Sequence, residues 1–331
     1  MSFIASLVAL LLEQARPLPR GNPIHAGMRA WVRMVARAVD AGQPQQAWLA
    51  WGASVLVPSL LALALHWLLV VTLGWAAAVV WNIAVLYATL GFRQFSHHFT
   101  EIRDALEGAD EARARQLLAD WQHSDASGLP RSEIVRQVVE HSVIAAHRHV
   151  FGVLVWFSVL AAFGFGPAGA VLYRLGEFAP RYWMHKDRSM SQPVSSALQD
   201  AATRAWQLLD WLPARITAIA FAVVGSFEAA IEGWHDYEQR GPGDSDGVIL
   251  AATAGAVGLR IGPAASMAPA GAGAGDADDT QPDGPATPMG LVPPGQTPEV
   301  GHMRIIVGLV WRTVVMWMVL LALLTLARLL G

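Results

Sequence analysis

Apolar runs without a charge alternate along this chain with polar segments of helical period, and that alternation defines most of its elements. Between Asp40 and Arg93 there is no Asp, Glu, Lys or Arg. Such a stretch can cross a hydrocarbon layer twice at about 20 residues per crossing. It predicts two spans, Trp48 to about Thr72 and Trp75 to about Phe92, with a tight turn at Leu73-Gly74. Trp48, Trp51, Trp67, Trp75 and Trp81 partly occupy the span ends, as an aromatic belt requires. Because the pair is a hairpin, Arg93 emerges on the side that holds Arg16, Arg20, Arg29, Arg33 and Arg37, which the positive-inside rule assigns to the cytoplasm. The opening SFIASLVALLLEQ lacks the basic n-region and small-residue cleavage site of a signal peptide. It is short for a span and is expected at or just within the interface.

Residues 93 to 148 read as polar and helical. In DEARARQLLADW, Asp110 is placed to cap the first turn, and Leu117, Leu118 and Trp121 share one side. The helix beginning near Pro130 carries Ile134, Val135, Val138, Val139, Ser142, Val143 and Ala146, a stripe that buries one face. His149 to Tyr173 is free of formal charge and long enough to span, yet Gly164, Gly166, Pro167 and Gly169 break it. A single crossing would put Arg174, Arg181, Lys186, Arg188 and Arg204 outside; a re-entrant hairpin broken at the glycines keeps them inside and is the expected form. Ile216 to Phe227 reads as a half-span or a membrane helix buried in protein, and Gly247 to Gly262 as a small-residue helix suited to close packing. From Pro263 to Pro298 the sequence turns to Ala, Gly, Pro and Asp and is expected as a flexible loop. A last span follows from Ile305 to Ala327.

Composition narrows the chemistry. The 331 residues are 54% hydrophobic and only 15% charged, against about 25% charged in ordinary soluble domains. With no cysteine, disulfides, Cys-ligated zinc, iron-sulfur clusters and thiol nucleophiles are excluded. A net charge of -3 gives no sign of a nucleic-acid partner. The expected fold class is all-α: a polytopic integral membrane protein with about five membrane-embedded helical segments and a cytoplasmic helical region. Its divisions are an interfacial and Arg-rich cytoplasmic segment at 1-47, a transmembrane hairpin at 48-92 and the cytoplasmic helical region at 93-148. A membrane-embedded core at 149-262, the Ala/Gly/Pro-rich loop at 263-303 and a carboxy-terminal transmembrane helix at 304-331 complete them.

Several stretches, in this order and spacing, carry a resemblance. They are EIRDALEGADEARARQLLADWQHSD, EIVRQVVEHS, AGAVLYRL, LDWLPARIT, ATAGAVGLRIG and the closing MRIIVGLVWRT. The chain resembles the CobD/CbiB family of cobalamin-biosynthesis membrane proteins over nearly its whole length. Its FSHHF stretch and the LDW before Pro-Ala-Arg are similar to the AmpE branch, whose members are linked to signalling of cell-wall state and induction of beta-lactamase. Family members acting as adenosylcobinamide-phosphate synthases join aminopropanol or its phosphate to a corrinoid carboxyl group with ATP. That chemistry implies acids for a magnesium ion and cations for phosphate oxygens.

The resemblance also shows where this chain departs. For the family's Arg-Asp-Thr it reads Ser124, Asp125 and Ala126. A stripe of acids at four-residue steps on the next helix becomes Glu140, Ile144-Ala145 and Arg148, one acid of three with the last position reversed in sign. Asn-Thr and Asp beyond AGAVLYRL become Glu177, Phe178 and Pro180, although Lys186 matches a basic position. Before LPAR the chain keeps Arg204 but has Trp206, Gln207 and Asp210, and the Ser-Pro-Asn turn becomes Gly243, Asp244 and Ser245. Leu212-Pro213-Ala214-Arg215, Gly255, Gly258 and Gly262 persist. A magnesium site left with one carboxylate of such a stripe binds poorly, because affinity follows ligand charge and octahedral placement.

Candidate ligand-binding residues are therefore Asp125, Glu140, Lys186, Arg204, Asp210 and Arg215, with no catalytic and no metal-ligating residue assigned. His123 and Asp125 in a polar turn read as solvated or capping groups. His97, His98, His147 and His149 lack the i, i+4 spacing that aims two imidazoles at one ion and read as interfacial. Glu140, Arg204 and Arg215 differ in kind, since a charge at mid-membrane costs about 2.5 to 3.5 kcal/mol and calls for a partner or a function; at the interface the cost is slight. If they are buried together, a Glu140 to Arg pair is either structural glue or the floor of an anion-binding cavity. The Arg-rich amino-terminal segment is a topology signal, with anionic-lipid contact as its consequence.

The expected function is that of a divergent, non-catalytic or regulatory family member, AmpE-like and tied to cell-envelope signalling, with no cofactor assigned. The alternative is an adenosylcobinamide-phosphate synthase using Mg and ATP. A third is a transporter or lipid-handling protein on the same scaffold. Expected partners are the lipid bilayer, a membrane or envelope protein, and a corrinoid or amphipathic ligand. The expected place is the bacterial inner membrane, multi-pass, with the amino terminus cytoplasmic.

Overall fold

A computed structural model describes residues 2–16, 22–122, 125–190, 194–240, 244–262 and 295–330, without the side chains of 92–96, 185–190 and 328–329. The described chain is all helical apart from one isolated bridge between Leu259 and Gln296. In chain order the helices are α1 (Ser2–Ala15), α2 (Pro23–Val39), α3 (Pro44–Leu73), α4 (Trp75–Thr89), α5 (Phe92–Glu107) and α6 (Glu111–Gln122). There follow α7 (Arg131–Ala146), a π-helical segment (His147–Phe151), α8 (Gly152–Ala162), α9 (Ala168–Met190), α10 (Ser196–Val224), α11 (Phe227–Arg240), α12 (Ser245–Val257) and α13 (Val300–Leu330).

Among the described residues, four stretches are long and apolar enough to cross a membrane: Pro44–Leu73, Arg131–Ala162, Ser196–Val224 and Val300–Ala327. The shorter apolar helices Ser2–Ala15, Trp75–Thr89 and Ser245–Val257 pack among them. The chain is thus a multi-pass membrane protein. The turn expected at Leu73-Gly74 is there, with Gly74 at φ 82, a conformation that favours glycine over residues with a Cβ. Helix α10 differs from expectation: the polar stretch before Ile216 continues into the apolar one as a single helix, so half-span and polar segment form one element. Residues 263–294, most of the expected loop, lie outside the described residues, as do Arg20, His123, Ser124 and Gly243.

The broken stretch at Gly164–Gly169 is a true reversal. Helices α8 and α9 pack side by side, and Gly169 sits so close that a Cβ would lie 2.1 Å from the Trp156 carbonyl oxygen. Glycine permits that crossing where any other residue would push the arms apart. The polar helices follow their local signals: Asp110 Oδ1 accepts from the Arg113 amide at 3.0 Å, capping the first turn of α6. The apolar stripe of α7, from Ile134 to Ala146, is buried in the main core together with Leu118, Phe151, Phe221 and Leu309.

Candidate functional site

The stripe of α7 does not continue into α8 in simple register. At His147–Phe151 the helix widens to a π turn, a feature frequent at functional sites. It sends three consecutive polar side chains to three different helices. His147, fully buried, places Nε2 2.9 Å from Asp210 Oδ1 and Nδ1 2.9 Å from Thr217 Oγ1, both on α10. Tyr173 of α9 donates its hydroxyl to the same Asp210 Oδ1 at 2.7 Å. A carboxylate oxygen only accepts, so His147 donates from Nε2 to Asp210.

Arg148 turns instead to α12 and donates to Asp246 Oδ2 at 2.5 Å, with its guanidinium 5.9 Å from the centre of the Trp206 ring. His149 Nδ1 accepts from Arg174 at 2.6 Å. Arg174 also donates to Glu177 Oε2 at 3.1 Å, and Arg181 pairs with Glu177 from the other side. Each of these buried charges has an oppositely charged or polar partner, as a low-dielectric interior demands.

Between these groups lies a cavity of about 520 Å³ lined by Arg148, Thr203, Trp206, Gln207, Asp210, Asp244, Ser245 and Asp246. Among the described residues, three polar atoms of its lining are buried without a hydrogen-bond partner: Asp210 Oδ2, Asp246 Oδ1 and Arg148 Nε. Such atoms are costly unless something else satisfies them. The wall is acidic on balance, with Asp210, Asp244 and Asp246 against one arginine. Tyr237 donates to Asp244 Oδ2, one of the lining carboxylates, at 2.7 Å; burial, and then Asp244, push its phenol up to about 12.

The six candidate residues are not brought together. Asp210 lines the cavity. Glu140 accepts from Arg136 one turn earlier and from the Gly262 amide, both at 2.7 Å, rather than from a distant arginine. Arg215 pairs with Glu238 at 2.5 Å and stacks 4.3 Å from the centre of the Trp211 ring. Arg204 is exposed on α10, and Lys186 lies on α9 with its side chain outside the described ones. Asp125 stands in a turn, where its carboxylate accepts from the Ser127 amide at 2.9 Å. That bond holds its carboxyl below the usual range.

Arg148, Asp246, His147 and Tyr173 carry the site and went unassigned in the sequence. A signal existed for the first pair: a cation stands where an acid was expected, and an acid follows the altered turn at 243–245. No signal foretold the π turn. The residues fit a preformed magnesium site poorly. Asp210 Oδ1 is shared by His147 and Tyr173, Asp246 holds Arg148, and Asp244 holds Tyr237. Among the described residues no group of three or more His, Asp or Glu could hold a metal ion.

These features define a multi-pass helical membrane protein with a polar cavity built on a π turn. The family model described as CobD/Cbib protein matches residues 5–272, and the chain belongs to that family. It is 28% identical over 325 residues to the cobalamin biosynthesis protein CobD of Stutzerimonas stutzeri, covering 96% of each chain. With the cobalamin biosynthesis protein CobD of Chromobacterium violaceum it shares 29% identity over 274 residues, 77% of this chain and 80% of that one. No solved structure matches.

Proposed function

We propose that the protein serves cobalamin biosynthesis by binding a corrinoid-pathway intermediate in the cavity between the π turn, α10 and α12. The observation that carries this reading is a convergence. Arg148, Trp206, Gln207, Asp210, Asp244 and Ser245, scattered in sequence and all at positions where the chain departs from its family's motifs, line one cavity. Similarity over 96% and 77% of the chain to two proteins named for cobalamin biosynthesis supports it further. The reaction class implied by the resemblance is ATP-dependent amide formation between a corrinoid carboxyl and the amine of aminopropanol phosphate. An ammonium group finds acceptors in Asp210 Oδ2 and Asp246 Oδ1, while Arg148 can meet a carboxylate or phosphate oxygen. His147 and Tyr173 fix the Asp210 carboxylate and so act as positioning residues.

The test is an assay of the purified full-length protein in nanodiscs with ATP, magnesium, adenosylcobyric acid and aminopropanol phosphate. The expected outcome is an amide product, detected by mass, that is lost in Asp210→Asn and kept in Arg240→Gln, a substitution of an exposed residue on α11. A second reading, regulatory and AmpE-like, is favoured by one observation: the Glu140 carboxylate is occupied by Arg136 and the Gly262 amide. No product, together with retained calorimetric binding of adenosylcobyric acid, would select that reading. Loss of both would reject the cavity as a corrinoid-pathway site.

A further inference from the structure

Helix α2 presents three arginines that the fold does not use. Arg29, Arg33 and Arg37 are spaced by four residues and so share a helix face, and all three are exposed. None of them forms an ion pair among the described residues. The opposite face is pinned. Val32 and Val35 are buried with Ala47 and Ala50 of α3, Ala179 and Trp183 of α9, and Leu198 of α10. The Trp31 indole donates to the Ser54 carbonyl at 3.1 Å.

That bond sets the depth of the stripe. α2 turns through Asp40–Gln43 into α3, a candidate span, and runs back along it, so Arg37 and Arg33 lie level with the turns that hold Trp48 and Trp51. Those tryptophans pack edge to face at 6.2 Å, and Trp48 is half exposed, as an interfacial aromatic is. Beyond them α3, a candidate span, leaves Leu56, Leu60 and Leu61 exposed. A shallow cavity of about 400 Å³ lies on the basic face, lined by Ala30, Arg33, Met34, Arg37 and Ala38. The alanines let a ligand approach the backbone, the two arginines offer forked donors suited to phosphate, and exposed Met34 offers an apolar contact.

We propose that this face is a binding site for the phosphate headgroup of an anionic membrane lipid, held by Arg33 and Arg37 with Arg29 adding charge. A lipid rather than a soluble anion is the occupant because the site stands at headgroup depth beside lipid-facing leucines. There, headgroups are locally concentrated and an acyl chain has somewhere to go. Each basic residue at such a surface strengthens binding roughly five-fold.

The test uses the full-length protein in detergent and in nanodiscs. Native mass spectrometry counts retained phosphatidylglycerol against phosphatidylcholine, and thermal unfolding is followed as each lipid, or soluble glycerol phosphate, is added. The expected result is preferential retention of phosphatidylglycerol and a rise in midpoint with that lipid alone. In the double variant Arg33→Gln with Arg37→Gln the preference should fall by more than ten-fold, and in Arg240→Gln it should be unchanged. Because the replaced side chains are exposed, unfolding midpoints in phosphatidylcholine should match between variant and parent. Equal retention of the two lipids by the parent, an unchanged preference in the double variant, or equal stabilisation by glycerol phosphate would overturn the proposal.

Discussion

At the scale of single residues, the cavity is organised by one cross-helix ion pair and one buried carboxylate, and the two behave differently. Asp210 accepts from His147 and Tyr173 and is almost wholly buried, so replacing either donor leaves an under-satisfied carboxylate. Arg148 and Asp246 are only partly buried and bond each other directly at the cavity wall. Removing one leaves the other as an uncompensated charge, whereas removing both leaves the net charge of the wall unchanged. Arg148→Ala should therefore lower the unfolding midpoint more than Arg148→Ala combined with Asp246→Ala does. Thermal unfolding in nanodiscs should give a coupling on the order of 0.5–3 kcal/mol; additive effects would mean that the pair is not formed. Sequence reasoning reached Asp210 but not its neighbours, for a physical reason. A histidine's role depends on what faces it, and His147 meets Asp210 and Thr217 only because α10 crosses behind it.

At the scale of elements, hydrophobic period and turn chemistry located most of the helices. The charge-free run between Asp40 and Arg93 gave both arms of the first hairpin, and Asp110 marked the start of α6. Periodicity could not show that α10 is one helix, because its two halves have opposite polarity. It could not show the π turn either, since a single inserted residue leaves no compositional trace. Close helix contacts, by contrast, were written in the small residues. Gly255 of α12 faces α11 so tightly that a Cβ would lie 2.0 Å from the Ala229 carbonyl oxygen, a backbone atom that cannot swing away. Gly255→Ala should therefore destabilise the protein by about 1–3 kcal/mol through overpacking. Gly308→Ala, inside α13, is the matched control: among the described residues nothing lies within 4 Å of its added Cβ, and alanine favours a helix interior by about 0.5–1 kcal/mol. Melting the two variants side by side checks both directions, and a neutral Gly255→Ala would mean that α11 and α12 pack less closely than described.

At the scale of the whole molecule, the question is which ends of the helices share a side of the membrane. Several long-range bonds gather one set of ends: Tyr87 donates to the Arg16 carbonyl, Ser195 bonds Asp40, and Arg304 pairs with Glu107. The opposite set holds Gly74 and the reversal between α8 and α9. The depth of that reversal follows from its contact with α3. A Cβ at Gly166 would lie 2.5 Å from the His66 ring, and one at Gly164 would lie 3.7 Å from Trp67. His66 and Trp67 stand near the far end of α3, which finishes at Leu73. The reversal therefore reaches the far interface, and Phe163, highly exposed at its tip, should be accessible from that side. The protein has no cysteine, so single substitutions report position without background. In intact cells an impermeant maleimide should label Trp75→Cys and Phe163→Cys, while Arg37→Cys and Glu111→Cys react only after the membrane is opened. Labelling of Arg37→Cys from outside would reverse the orientation inferred from the basic amino-terminal segment. A Phe163→Cys that reacts only in opened membranes would mean instead that the α8–α9 hairpin turns short of the far interface, as a shallow re-entrant loop does.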